Sequence, residues 1–349
     1  MFFCLEPFPM RRLGLLVALL TATLITTGCG TQTDEVNVYS ARKEALIKPL
    51  LDRFSEQTGI TVNLITGSAD ALVERLKAEG EHSPADLLIT VDAGRLYRAQ
   101  QEGLLATTSS DELDRQVPSA LREPEGRWFG LSVRGRVIVY APDRVDPANL
   151  STYEALADPQ WAGRICIRSS DNIYNQSLVA SLIAHDGEPA TRQWAEGLVA
   201  NMARDPVGGD RDQIKAVAAG DCDLAVVNTY YLGMMQADQD AETRDIAHRV
   251  RVFWPNQDGR GIHINISGAG ITANAPNPDN AQKLLEFLVS DESQRWYAET
   301  NHEYPVRPGV ATSELLQSWG DFKQDDLPLV KLGELNADAV KVMDQAGWK

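Results

Sequence analysis

The sequence predicts an α/β protein of two lobes with a ligand cleft between them. Three observations carry this. Strands and helices alternate along most of the chain. Long β-rich segments, GRWFGLSVRGRVIVYAP at 126–142 and VRVFWPN followed by GIHINISGAGITANAP, interrupt the alternation and read as crossings between lobes. The length, 349 residues with 43% apolar side chains, fills about two cores. Taken in order, EVNVYS is a strand by its alternation. ARKEALIKPLLDRFSEQTG carries Leu46, Ile47, Leu50, Leu51 and Phe54 at helical spacing and stops at Gly59. ITVNLIT is a strand, SADALVERLKAEG a helix capped by Ser68 or Asp70, DLLITV a strand and AGRLYRAQQEG a helix. This pattern gives a mostly parallel sheet covered on both faces. After the first crossing, STYEALADPQWAG reads as a helix, RICIRS as a strand, and IYNQSLVASLIAH, TRQWAEGLVANM and DRDQIKAVAAG as helices. CDLAVVN is a strand followed by a helix from Thr229, and NAQKLLEFLVSDESQRWYAET reads as one amphipathic helix. The lobe boundaries expected from this are 30–132 plus about 257–307 for the N-terminal lobe and 133–256 plus about 308–349 for the C-terminal lobe.

Residues 1–29 read as an export signal. Arg11 and Arg12 precede the apolar run LGLLVALLTATLI, which ends in TTGCG. Cys29 after Thr27-Gly28 resembles the bacterial lipoprotein processing site and is the expected lipidation position, although Thr26 stands where leucine is usual. Arg11-Arg12 also fits twin-arginine export, with Gly14 where a bulky apolar residue is expected. Cys4 leaves with the signal, so Cys166 and Cys222 remain as a pair in an exported chain and are expected to form a disulfide. The formal charge of −16 argues against nucleic acid or an anionic membrane surface as a partner. Five histidines in all make a histidine-rich metal site a poor expectation.

In an open α/β sheet, ligands sit beyond the carboxyl ends of the strands. Tyr39 lies at such an end in VNVYSAR, Tyr174 just past RICIRS in SSDNIYNQS, and Tyr230 and Tyr231 just past LAVVN. Four phenols at strand ends are expected to face one cleft. A phenol titrates near pH ~10 and is neutral at physiological pH. A strongly Lewis-acidic cation displaces its proton, and phenolate is a hard anionic oxygen. Zinc and copper prefer imidazole or thiolate, while calcium and magnesium prefer carboxylates and carbonyls. Tyrosine-rich and histidine-poor donors therefore point to Fe³⁺, bound with loss of protons.

The motifs VYSARKEALIKPLLDRF, LSVRGRVIVY, IRSSDNIYNQSLVASLI, GDCDLAVVNTYYLG and ISGAGI resemble the periplasmic ferric-iron-binding proteins of bacterial ABC importers, across essentially the whole mature chain. The resemblance implies a type II-like periplasmic-binding-protein fold with two or more hinge crossings. It implies Tyr230 and Tyr231 as paired iron ligands, Tyr174 as a third and Tyr39 as a fourth. Where other members place histidine after the YSAR-type segment, this chain has Lys43-Glu44, which leaves open a site of three tyrosines completed by a carbonate-like synergistic anion. Arg42, in the first turn of a helix at the cleft, and Arg134, in SVRGRV, are the expected anion or charge-balancing residues. Asn228 is expected to cap the helix carrying the tyrosine pair, or to bond the anion. Glu56, Glu74 and Glu79 read as solvated helix faces, and His263 and His302 as packing residues. No nucleophile with an oriented base is evident, so a binding protein is expected rather than an enzyme. The expected partners are a permease and its ATPase, since the chain lacks a phosphate-cradling loop of its own. The expected state is a monomeric periplasmic protein. A small oxyanion or a polyamine in the same fold is the rival ligand, and an exported hydrolase the rival class.

Overall fold

The structure, a computed structural model, describes residues 1–2 and 34–349. The export region and Cys29 lie outside the described residues. Chain contacts separate Met1–Asp34 from a second unit, Glu35–Lys349, which holds everything that follows.

The strands are β1 (Glu35–Ser40), β2 (Thr61–Thr66), β3 (Leu87–Val91), β4 (Phe129–Tyr140), β5 (Ile165–Cys166), β6 (Leu224–Asn228), β7 (Arg251–Phe253), β8 (Ile264–Ile271) and β9 (Tyr304–Pro305). Their order is β2-β1-β3-β8-β4-β6-β5, with β7 and β9 also paired to β4. The sheet is mixed rather than mostly parallel. β1 runs parallel to β2 and β3, and β5 to β6, whereas β8 is antiparallel to β3 and β4, and β6 antiparallel to β4. The crossings are the reason: a strand that leaves one lobe and another that returns to it traverse the boundary in opposite directions.

β4 is the first crossing. Its first half, Phe129 to Gly135, pairs with β8; its second half, Arg136 to Tyr140, pairs with β6 and β7. All twelve of its residues are buried, so the sequence FGLSVRGRVIVY carries two arginines through the interior. The return path runs from β7 to β8, and β9 closes back onto β4 at Ser132 and Val133. The two-lobed α/β architecture expected from the alternation is present, with the sheet shared across the hinge.

Local sequence explains most elements. The helix Lys48–Thr58 buries Leu50, Leu51 and Phe54 and ends at Gly59 with φ 75°, a left-handed turn that glycine takes without strain. Ser68 accepts from the Ala71 amide at 3.3 Å and caps the helix Ala69–Glu79. Three expectations fail locally. STYEALADPQWAG forms two short 3₁₀ turns, Glu154–Ala157 and Pro159–Trp161, because Asp158 is extended ahead of Pro159. The long helix at 280–300 is two helices, Pro278–Leu288 and Asp291–Thr300, the second started by Ser290 accepting from Ser293. The first helix does not begin near Arg42: a 3₁₀ turn spans Glu44–Leu46, and the α-helix starts at Lys48.

Candidate metal centre

β5 and β6 are adjacent parallel strands, so the helices that follow them start side by side. The helix Ile173–Asp186 puts Tyr174 in its first turn, and the helix Thr229–Gln236 puts Tyr230 and Tyr231 in its own. The phenol oxygens of Tyr174 and Tyr230 are 3.4 Å apart. The rings of Tyr230 and Tyr231 lie 4.2 Å apart, tilted by 32°. All three tyrosines line one cavity of about 170 Å³. Cys166 at the end of β5 and Cys222, two residues before β6, form a disulfide with Cα atoms 5.9 Å apart, which ties β5 to the segment entering β6.

The opposite walls are cationic. Arg42, Lys43, Arg134 and Arg211 line the cavity together with one carboxylate, Glu303, and the thioether of Met234. The Arg134 guanidinium stands 5.8 Å and 5.9 Å from the ring centres of Tyr174 and Tyr230. Burial pushes the Tyr230 phenol well above its ordinary value, and Tyr174 and Tyr231 reinforce this while Arg134 opposes it. Tyr231 is pushed up to about 12, first by burial and then by Tyr174 and Asp210. Tyr230 and Tyr231 therefore stay neutral until something strong enough to displace their protons arrives.

Tyr39 is not part of this cluster. Its hydroxyl donates to Glu79 at 2.9 Å and 3.0 Å, its ring lies under the Arg75 guanidinium at 4.7 Å, and it is absent from the cavity wall. Side chains alternate across a strand, and the register of β1 sends Tyr39 toward the helix Ala69–Glu79 instead of the cleft. Glu79, read from sequence as a solvated face, is the acceptor that fixes it there.

Arg42 lines the cavity but lies ahead of the helix and not in its first turn, so the expected contribution of free helical amides is missing. Its guanidinium donates to Glu303 at 2.7 Å and to the Ser267 hydroxyl. Arg134 donates to the Ile266 carbonyl and to Ser267 at 3.2 Å, and stands 3.9 Å from Glu303, which also accepts from Ser132 at 2.9 Å. Burial raises the Glu303 carboxyl, but Arg42 and Arg134 outweigh it and leave the group below its ordinary range. Two arginines share one carboxylate, so this trio keeps one positive charge, to which Lys43 and Arg211, lining the same cavity, add. Asn228 occupies the cap position of its helix without a side-chain cap bond, contrary to expectation; its carbonyl oxygen accepts from Arg136 at 3.0 Å.

Sequence reading missed Arg136, Asp210, Glu303 and Arg211. Arg136 had a usable signal, since two arginines inside the apolar run of β4 must be paired when buried. Glu303 had none: it meets Arg42 across 261 residues. His263 is buried, with its ring held neutral down to about pH 3 by burial and by Arg136, Arg260 and Arg134. Among the described residues, no three His, Cys, Asp or Glu side chains gather in a metal-holding group.

The model of the bacterial extracellular solute-binding protein family matches residues 50–324. Iron uptake protein A1 of a Synechocystis species is 47% identical over 348 residues, covering 97% of both chains. The Fe(3+)-binding periplasmic protein of Serratia marcescens is 30% identical over 313 residues, 89% of each. Among solved structures, a Trichodesmium protein in complex with iron and citrate ligands is 50% identical, with a TM-score of 0.88, covering 90% of this chain and all of that one. With its hinge-crossed sheet and interlobe cavity, this chain belongs to the bacterial extracellular solute-binding protein family.

Proposed function

We propose that this protein captures Fe³⁺ in the periplasm through the phenolates of Tyr174, Tyr230 and Tyr231, and hands it to a membrane permease driven by a separate ATPase. The observation that carries the reading is the meeting of these three phenols, from two helices, at one cavity wall. The names of the relatives support the cargo: iron uptake in one, ferric binding in another, and an iron–citrate complex in a third. Tyr39 drops out of the ligand set, because its hydroxyl is committed to Glu79. Three phenolates on Fe³⁺ sum to zero charge, so the coordination left open is best filled by an anion. Arg42, Lys43, Arg134 and Arg211 supply the field that holds it. Carbonate or a small carboxylate both suit that wall, and the cavity has room for more than a bare ion.

In this reading the lobes are 30–132 with 257–307 and 133–256 with 308–349, and they close around the cargo by bending at the β4 and β7–β8 crossings. All three phenols then belong to the C-terminal lobe, and Arg42 and Lys43 cover them from the other. Residues 1–29 direct export, with Cys29 as the lipid attachment point. The protein acts as a monomer and performs no catalytic step, in keeping with its solute-binding relatives.

The test is a titration of the purified mature protein with Fe³⁺, with and without carbonate or citrate. The expected result is a visible phenolate-to-iron charge-transfer band that saturates at one equivalent and is strongly weakened in Tyr231→Phe. A relative 25% identical over 265 residues has a name giving 2-aminoethylphosphonate as its ligand, and the cationic wall suits such an oxyanion too. Phosphonate binding without any iron band would favour that second reading.

A further inference from the structure

We infer that Arg136 is a positioning residue that assembles the three tyrosines before any cargo arrives. The inference rests on the iron reading above for its purpose, but its geometry is independent of it.

Arg136 is 1% exposed and sits where β4 changes partners, pairing with Asn228 of β6. Its amide donates to the His263 carbonyl on the return crossing at 3.0 Å, so both crossings meet at this residue. Its guanidinium reaches three acceptors on three different segments: Asn175 at 2.5 Å, Asn228 at 3.0 Å and Asp210 at 3.2 Å. Asn175 directly follows Tyr174, and Asn228 lies two residues before Tyr230. Asp210 opens the helix Asp210–Ala219 beside Arg211 and also accepts the Asn228 amide at 2.7 Å. Asn175 in turn donates to the carbonyls of Arg168 and Ser169, at 2.8 Å and 3.1 Å, which fixes the turn leading into the Tyr174 helix.

The planar fork of one guanidinium therefore sets the distance between the Tyr174 helix and the Tyr230–Tyr231 helix. A lysine cannot replace it, because a single ammonium on a flexible stem does not hold three acceptors in a plane. Asp210, shared between Arg136 at 3.2 Å and Arg168 at 3.4 Å, offsets the buried charge and helps Arg136 stay in an interior that would otherwise reject it. Between the two helices the phenols make only one weak hydrogen bond, Tyr174 to Tyr230 at 3.4 Å, so the spacing between the helices must come from behind them. A partner behind a ligand typically contributes a factor of about 10 to 100 in metal affinity.

The experiment compares wild type with Arg136→Gln, Arg136→Lys and Asn175→Ala in the full mature protein. Arg136→Gln and Arg136→Lys should each weaken Fe³⁺ binding by about 10- to 100-fold and lower the charge-transfer absorbance per bound iron. Asn175→Ala cuts one arm, should fold normally, and should reproduce the spectrum of Tyr174→Phe. A folded Arg136→Gln or Asn175→Ala protein with wild-type spectrum and affinity would overturn the inference, and Asn175→Ala decides if Arg136→Gln does not fold. The carbon-13 signals of the tyrosine ring Cζ atoms, recorded on metal-free protein, separate this inference from the iron reading. Movement of the Tyr174 and Tyr230 signals in Asn175→Ala supports the positioning role even if wild type binds no iron, and unmoved signals refute it.

Discussion

Replacing Tyr39 by phenylalanine separates the two roles a buried tyrosine near the cleft can have. In the structure the Tyr39 hydroxyl donates to both oxygens of Glu79, at 2.9 Å and 3.0 Å, and Glu79 also accepts from Arg75 and Ser83 at 2.7 Å each. Removing the hydroxyl deletes a hydrogen bond to a charged acceptor, which contributes about 1.5–3 kcal/mol. Glu79 keeps its other two donors and its side chain is 22% exposed, so the lower part of that range applies, about 1.5–2 kcal/mol. With an unfolding entropy of about 2.1 cal/mol/K per residue over a unit of roughly 315 residues, Tm should fall by about 2–3 °C. The effect also has a pH signature. Burial raises the Glu79 carboxyl, but Arg75, Ser83 and Tyr39 outweigh it and leave the group below its ordinary value. The wild-type advantage is therefore full above the unfolded carboxylate value and disappears as pH falls through the lower folded value. Calorimetry of both proteins at neutral and acid pH, with Fe³⁺ titration in parallel, reads all of this. Iron affinity and the charge-transfer band should be unchanged. A tenfold loss of affinity or a shifted band would refute the placement of Tyr39 outside the site.

Three further outcomes follow from the geometry. Tyr230 and Tyr231 are protonated well above neutrality in the metal-free protein, so ligation by this pair should release at least two protons per ferric ion, and affinity should fall as pH falls; a pH-stat titration that recovers one proton or none would contradict ligation by both phenolates. Cys166 and Cys222 close a loop with a sequence separation of 56, and losing that constraint through the double serine variant should cost about 4 kcal/mol in the chain-entropy account, read as a lower denaturant midpoint. A Cβ at Gly233 would sit 2.6 Å from the Cβ of His302, whose φ is already 54°, so Gly233→Ala should lose about 1–3 kcal/mol and disturb the helix that carries the tyrosine pair, measured by denaturant unfolding and by the iron spectrum.

The strand-end rule located Tyr174, Tyr230 and Tyr231 from sequence because each sits in the first turn of the helix that follows one of two adjacent parallel strands. The same rule failed for Tyr39, which is still inside β1. There the face a side chain takes depends on strand register, and the run Val38 to Ser40 is buried on both faces, so alternation gives no clue. The split of the 280–300 helix was within reach, since Ser290 followed by Asp291 and Glu292 is a cap signal. The ion cluster of Arg42, Arg134 and Glu303 was not, because no local pattern announces a contact between residues hundreds of positions apart.

On the proposed reading, the energetics of this cavity make it selective by what it withholds. With Tyr231 near 12, taking its proton off at pH 7 costs about 7 kcal/mol at 1.36 kcal/mol per tenfold step, and Tyr230, raised further by its burial, costs more. An ion binds strongly here only if its bonds to phenolate oxygen exceed that sum, which a hard trivalent ion achieves and a divalent one bound best by nitrogen or sulfur does not. The cationic wall raises the requirement again. Arg42, Lys43, Arg134 and Arg211 repel any bare cation, and Glu303 is already shared between two of them. A cation that leaves the phenol protons in place gains weak neutral donors and meets that repulsion. On the proposed reading, one that displaces the Tyr230 and Tyr231 protons turns neutral groups into anions beside the arginines, so each proton lost converts repulsion into attraction. The acidic surface of a chain with formal charge −16 draws cations toward the protein, and the interior admits those able to ionise it.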